Sequence, residues 1–128
     1  MTITRHEPSK ILSSAVEANG MVYLAGVVPT DLSGGVKAQT KSVLAEIDRL
    51  LALAGTDKTK IVQALIWVPH IKSREELNEV WIEWTGGNNL PARACVEANL
   101  AEERFFVGLR LWMALRPPPP SARPTSRP

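Results

Sequence analysis

The sequence predicts one α/β (α+β) domain ordered β-β-α-β-α-β-β, with a single mixed sheet and two helices on one of its faces. Three observations predict it. Apolar residues recur with helical spacing in two windows, one from about Val36 to Ala54 and one from about Ser73 to Thr85. Short, strongly apolar runs lie before, between and after those windows. Each helix therefore connects strands, which favours right-handed crossovers and both helices on the same side of one sheet.

The elements follow in order. Ile11–Ala18 and Met21–Val28 are apolar runs joined by Asn19-Gly20, the strongest short hairpin signal. Residues 29–35 form a loop. In the first helical window Val43, Leu44, Ile47, Leu50, Leu51 and Ala54 make one stripe, and Gly55 stands where a left-handed terminating residue belongs. Ile61–Val68 is almost wholly apolar and ends at Pro69, which suits a strand covered on both faces. Ser73 with Glu76 has the form of a capping box, and the helix it opens buries Leu77, Val80, Trp81 and Trp84 before Gly86-Gly87 stops it. A strand from Ala92 and a last one over about Arg104–Leu115 complete the sheet. In the last strand Phe105, Val107, Leu109, Leu111 and Met113 share the helix-facing side. Phe106, Gly108, Arg110, Trp112 and Ala114 share the other, which no remaining element covers. An uncovered face carrying Phe and Trp predicts a homo-oligomer.

Bulk properties exclude several functional classes. The chain has 128 residues, 45% hydrophobic and 22% charged, which is ordinary globular composition. No apolar run approaches the 18 residues of a membrane span, and MTITRHEPSK lacks the apolar core of a secretory signal. The single cysteine, Cys95, forbids an internal disulfide and fits a reducing, cytoplasmic setting. The net charge is +2, but residues 116–128, RPPPPSARPTSRP, hold three arginines and no acids. The remaining body carries 12 basic against 13 acidic residues, a poor footprint for nucleic acid. The tail also holds six of the ten prolines and reads as disordered or polyproline II, so the domain is assigned to 1–115. His6 and His70 with one cysteine make no convincing zinc site, and no phosphate-binding glycine loop occurs. No metal or cofactor is expected.

The most informative stretch is NLPARACVEANL, residues 89–100. Strand alternation puts Ala94, Val96 and Ala98 on one apolar face and Arg93, Cys95 and Glu97 on the other. A guanidinium there meets solvent, pairs with an acid, or awaits an anionic ligand. By the same parity Arg110 adds charge to a cleft beside Gly108 or pairs with Glu97 across strands. Cys95 reads as a small buried filler, since nothing in the sequence lowers its thiol pKa.

The runs GMVYLAGVVP, AQTKSVLAEIDRLLALAGTDKTKIVQALIWV, LNEVW and LPARACVEANL resemble, in order and spacing, the Rid family (YjgF/YER057c/UK114, formerly endoribonuclease L-PSP). The resemblance covers about residues 9–115 and is most specific at PAR-x-x-VE. It implies a chorismate-mutase-like fold, a homotrimer with clefts between subunits, and cofactor-free hydrolysis of reactive enamines and imines to 2-keto acids and ammonia. Carried over by residue, it implies that Arg93 grips the substrate carboxylate, a task suited to a planar, bidentate donor. Cys95, Asn78 and Gly26 match other cleft positions.

The chain departs from that pattern at three places, one being the cleft aromatic near the first strand, whose matching region here is Leu12-Ser13-Ser14-Ala15. The family's Ser-Gly-Gln stretch is Ala25-Gly26-Val27 here, without hydroxyl or amide. The glutamate of active members, implied to position or activate water, falls on Gly108. Losing a general base costs about 10²–10⁴-fold. The expected function is therefore a small-carboxylate-binding trimer with weak or altered imine or enamine hydrolase activity, acting without nucleic acid or membrane. The alternative is a non-catalytic binder of keto or amino acids, or a regulatory trimer.

Overall fold

The computed structural model describes residues 2–114. Eight elements follow one another: β1 (Thr4–His6), β2 (Ala15–Ala18), β3 (Met21–Leu24), α1 (Val36–Leu53), β4 (Ile61–Val68), α2 (Arg74–Thr85), β5 (Ala92–Glu97) and β6 (Gly108–Ala114). Single 3₁₀ turns at Lys58–Lys60 and Ile71–Ser73 lead into β4 and α2. The strands form one sheet in the order β1-β2-β3-β6-β4-β5. Only β4 and β5 pair in parallel, so the sheet is mixed.

The central placement of β6 organises the rest. It pairs antiparallel with both β3 and β4, which therefore run parallel to each other and are joined by α1. In β6, Leu109, Leu111 and Met113 are fully buried, as Val107 is just before it. They meet Val22 and Leu24 of β3 and Ala64, Ile66 and Val68 of β4 under Val43, Ile47 and Leu50 of α1 and Leu77 and Val80 of α2. Fully burying such side chains stabilises by about 1.5–3 kcal/mol each. Both helices lie on this face, and Trp84 Nε1 of α2 donates to Asp48 Oδ2 of α1 at 3.0 Å.

Local signals set several boundaries. Asn19 and Gly20 have φ of 52° and 73°, the geometry of a tight hairpin turn between Ala18 and Met21. Gly55, at φ 77°, donates to Ala52 O while Thr56 N donates to Leu51 O, the paired bonds of a Schellman motif closing α1. Gly86, at φ 69°, ends α2.

Four expectations are corrected. A third N-terminal strand, Thr4–His6, pairs with Glu17–Ala15; three polar residues before a proline carry no strand signal. Ile11 and Leu12 are not strand: the Ser9 hydroxyl accepts both of their N–H groups, and they stand 88% and 51% exposed. Ser73 makes no side-chain cap because, at φ −66° and ψ −15°, it already belongs to the helical 3₁₀ turn. β4 is covered on one face only, with Leu65 and Trp67 half-buried on the other. The tail, residues 116–128, and Leu115 lie outside the described residues. Among the described residues, no helix is long and apolar enough to cross a membrane.

Candidate functional site

β5 alternates as its sequence demands, but the charged side faces the helices. Arg93 pairs in register with Ala64, and Ala64 is wholly buried beneath them. Cys95, half-buried, packs against the same core. Ala94 and Val96, the apolar side, face away from the helices, with Val96 41% exposed. Because β5 is an edge strand, Arg93 reaches past the sheet rim to α2. There Arg93 Nη2 donates to Asn78 Oδ1 at 2.6 Å. Its guanidinium carbon sits 5.5 Å from the centroid of the Trp81 ring, a cation–π distance. Asn78 and Trp81 are three residues apart on α2, one turn, so one helix face supplies both the acceptor and the platform. Trp81 is itself only 5% exposed and tilts against Trp84 at 5.6 Å, which fixes the ring.

Arg93 makes no ion pair among the described residues. A guanidinium has five N–H donors; Asn78 takes one. Burial pushes the Cys95 thiol pKa up, and nearby Arg93 and Arg74 pull it back in part. Glu97, on the same strand face, does not balance Arg93: its Oε1 accepts from Ile71 N at 2.9 Å and so caps the 3₁₀ turn before α2. Arg110 does not pair with Glu97. β4 lies between their strands and their side chains leave opposite faces, so Arg110 instead stacks over Trp112 at 4.9 Å.

The other expected positions gather elsewhere. Val27 exchanges both backbone hydrogen bonds with Leu109, at 2.8 and 3.0 Å, which brings the Ala25-Gly26-Val27 stretch beside the start of β6. Gly108 pairs in register with Trp67. Gly26, Val28, Trp67, Asn99, Leu100 and Gly108 line a hollow of about 350 Å³. A side chain at 108 would press on its neighbours: a Cβ there would lie 3.2 Å from Leu100 Cδ2 and 3.6 Å from Trp67 Cε3. The hollow contains no charged side chain. Thus Arg93, Asn78 and Cys95 form one group on the helix side, and Gly26, Val27 and Gly108 another where β3 gives way to β6.

Two contributors carry no motif in the sequence. Leu100, in the loop before β6, packs on Gly108 only because the chain turns back over the sheet. Gln39 of α1 is 1% exposed; its Nε2 donates to Arg104 O at 2.8 Å and its Oε1 accepts from Phe106 N at 2.7 Å. It fastens that loop to the helix layer. A buried amide within an otherwise apolar stripe was the available signal.

Comparison with known proteins agrees with this architecture. The family model described as endoribonuclease L-PSP matches residues 2–111. A RutC family protein of Haemophilus ducreyi is 39% identical over 113 residues, covering 88% of this chain and 97% of that one. The RutC family protein YoaB of Escherichia coli is 30% identical over 115 residues, covering 90% and 100%. Among solved structures, a YjgF family member from Neisseria meningitidis superposes with a TM-score of 0.89 at 37% identity, covering 92% of this chain and 98% of that one. A Rid family protein from Yersinia pestis, described as of unknown function, gives 0.83 at 27% identity, covering 89% and 100%. With the family model matched over residues 2–111 and a solved member superposing over nearly the whole of both chains, the chain belongs to the Rid (YjgF/YER057c/UK114) family.

Proposed function

We propose that this protein binds a small 2-keto or 2-imino carboxylate in a cleft between copies of itself, with Arg93 as the carboxylate grip, and that it hydrolyses 2-imino or enamine acids slowly. The observation that carries the reading is the state of Arg93: anchored by Asn78, laid on Trp81, and without an acidic partner among the described residues. A positioned guanidinium of this kind pairs a carboxylate bidentately, at about 1.5–3 kcal/mol for a hydrogen bond to a charged group. Asn78 sets the plane of the fork, and the Trp81 ring supports its underside.

The site requires more than one copy. Arg93 and Gly108 sit on opposite faces of the sheet, so both can line one cleft only if different copies contribute them. The half-buried Leu65, Trp67 and Trp112 on the face without helices support such an assembly, and a homotrimer, as in the family, satisfies both conditions. In the reaction, water adds to the carbon of the C=N bond, a proton passes to nitrogen, the C–N bond breaks, and ammonia leaves with a 2-keto acid formed. Arg93 holds the substrate by its carboxylate and leaves the C=N carbon open to water. No carboxylate stands at position 108 to take the water's proton, so the rate is low.

An amino-acid oxidase supplying 2-imino acids, with semicarbazide trapping what remains, tests this. Loss of trapped imine above background with wild type, abolished in Arg93→Ala, is the expected result. Arg93-dependent binding of pyruvate without acceleration on any imine would instead establish the non-catalytic binder, a reading favoured by the apolar walls beside Gly108. Sedimentation or light scattering checks the trimer.

A further inference from the structure

The hollow over Gly108 differs chemically from the Arg93 site. Two glycines, Gly26 and Gly108, bring backbone to its surface. A Cβ on Gly26 would lie 3.8 Å from Trp67 Cζ3, so the indole extends from one glycine to the other. Leu100 closes the opposite side, with both terminal methyls within 3.8 Å of where a Cβ on Gly108 would be. Apart from the indole N–H of Trp67, Asn99 supplies the only polar side-chain group among the lining residues, and none is ionisable. At about 350 Å³ the space falls within the range of small-molecule sites and suits a branched or aromatic hydrocarbon group. An ordered, attacking water needs two to four polar partners, and this wall offers few.

We propose that the hollow bounded by Trp67, Leu100 and Gly108 is the side-chain pocket of the cleft, and that it selects 2-keto and 2-imino acids with branched or aromatic apolar side chains over alanine-sized ones. The inference rests on the carboxylate-cleft reading above and names its substrate class. Gly108 presents bare backbone at the pocket surface, Leu100 packs close over it, and Leu100 and Trp67 give the pocket apolar walls. Selectivity follows from burial: each added methylene that leaves water improves affinity by roughly fourfold until the pocket is full.

Calorimetric titration of the intact oligomer with pyruvate, 2-oxobutanoate, 4-methyl-2-oxopentanoate and phenylpyruvate tests it. Wild type should bind 4-methyl-2-oxopentanoate at least tenfold more tightly than pyruvate. Gly108→Ala, whose methyl presses on Leu100, should cut that ratio at least fivefold. Leu100→Ala, in a loop and tolerant of truncation, should cut it similarly by removing a wall, and decides the matter if Gly108→Ala does not fold. Arg93→Ala should weaken every acid alike. Equal affinities across the series, or a ratio untouched by both pocket variants, overturns the pocket while leaving the carboxylate grip standing. Failure of all four acids to bind in an Arg93-dependent way overturns the cleft reading and this inference together.

Discussion

Arg93 pairs with Ala64 of β4, and Gly108 pairs with Trp67 three residues further along the same strand. Side chains alternate along a strand, so the arginine and the glycine stand on opposite faces of one sheet. The arginine looks toward the helices and rests on Trp81. The glycine looks away from them and is roofed by Leu100. A cleft that used both would therefore need two copies, and under the proposed function mutations at the two positions act on different parts of the ligand.

The Asn78–Arg93 hydrogen bond can be turned from support into competition. Asn78→Asp places a carboxylate where the amide oxygen now accepts at 2.6 Å. The guanidinium then has an internal anion at near-ideal separation. Pyruvate affinity is expected to fall at least about tenfold, while Asn78→Ala, which only loosens the arginine, costs less. Titration of both variants at low and moderate salt checks the order.

Gly108→Glu meets Leu100 before it can meet substrate. Overpacking of this kind costs about 1–3 kcal/mol, and the new carboxyl is pushed upward in pKa by its apolar walls. Combined with Leu100→Ala, the glutamate gains room. The double variant should recover melting temperature relative to Gly108→Glu and should hydrolyse imines at least about tenfold faster than wild type, because a positioned base contributes about 10²–10⁴-fold. The semicarbazide assay and a thermal melt of the three proteins give the comparison.

Gln39→Leu preserves volume and removes two bonds to the loop before β6. The Arg104 carbonyl and Phe106 N–H lose their partners, a cost of about 1–3 kcal/mol in urea unfolding. Amide exchange at Phe106 should accelerate more than exchange in the centre of β4, since the loop loosens before the sheet opens.

Cys95 should alkylate slowly near neutral pH. Burial raises its thiol pKa, so little thiolate is present, and reaction with iodoacetamide should rise only as pH passes above the ordinary cysteine range. Arg93 and Arg74 work against that shift. Removing Arg93 therefore moves the rate profile to still higher pH. The sign for stability is the same: a thiol whose folded pKa is raised favours the folded state less as pH climbs past the unfolded value. Rates measured from pH 7 to 10 on wild type and Arg93→Ala check it.

The two helices, the hairpin at Asn19-Gly20, the terminating glycines 55 and 86 and the span Ile61–Val68 were legible in the sequence. Each is set by local periodicity or by a residue that fits one backbone conformation. Helix-facing parity in the last strand was legible for the same reason. Arg93 could be placed on one face of its strand by alternation, and its role and Asn78 were named through the family resemblance. Their meeting could not be derived from spacing, because it depends on β5 lying at the sheet edge where a long side chain can reach α2. The strand Thr4–His6 carried no signal, since three polar residues become strand only by pairing with Glu17–Ala15. The insertion of the last strand between β3 and β4 was likewise open, because strand order depends on which edges meet after collapse. That insertion sets Gly108 beside Trp67 and beneath Leu100, and places it across the sheet from Arg93. Local sequence fixes backbone preference and side-chain parity over a few residues. Which distant side chain packs against a glycine is settled only when the whole sheet is packed.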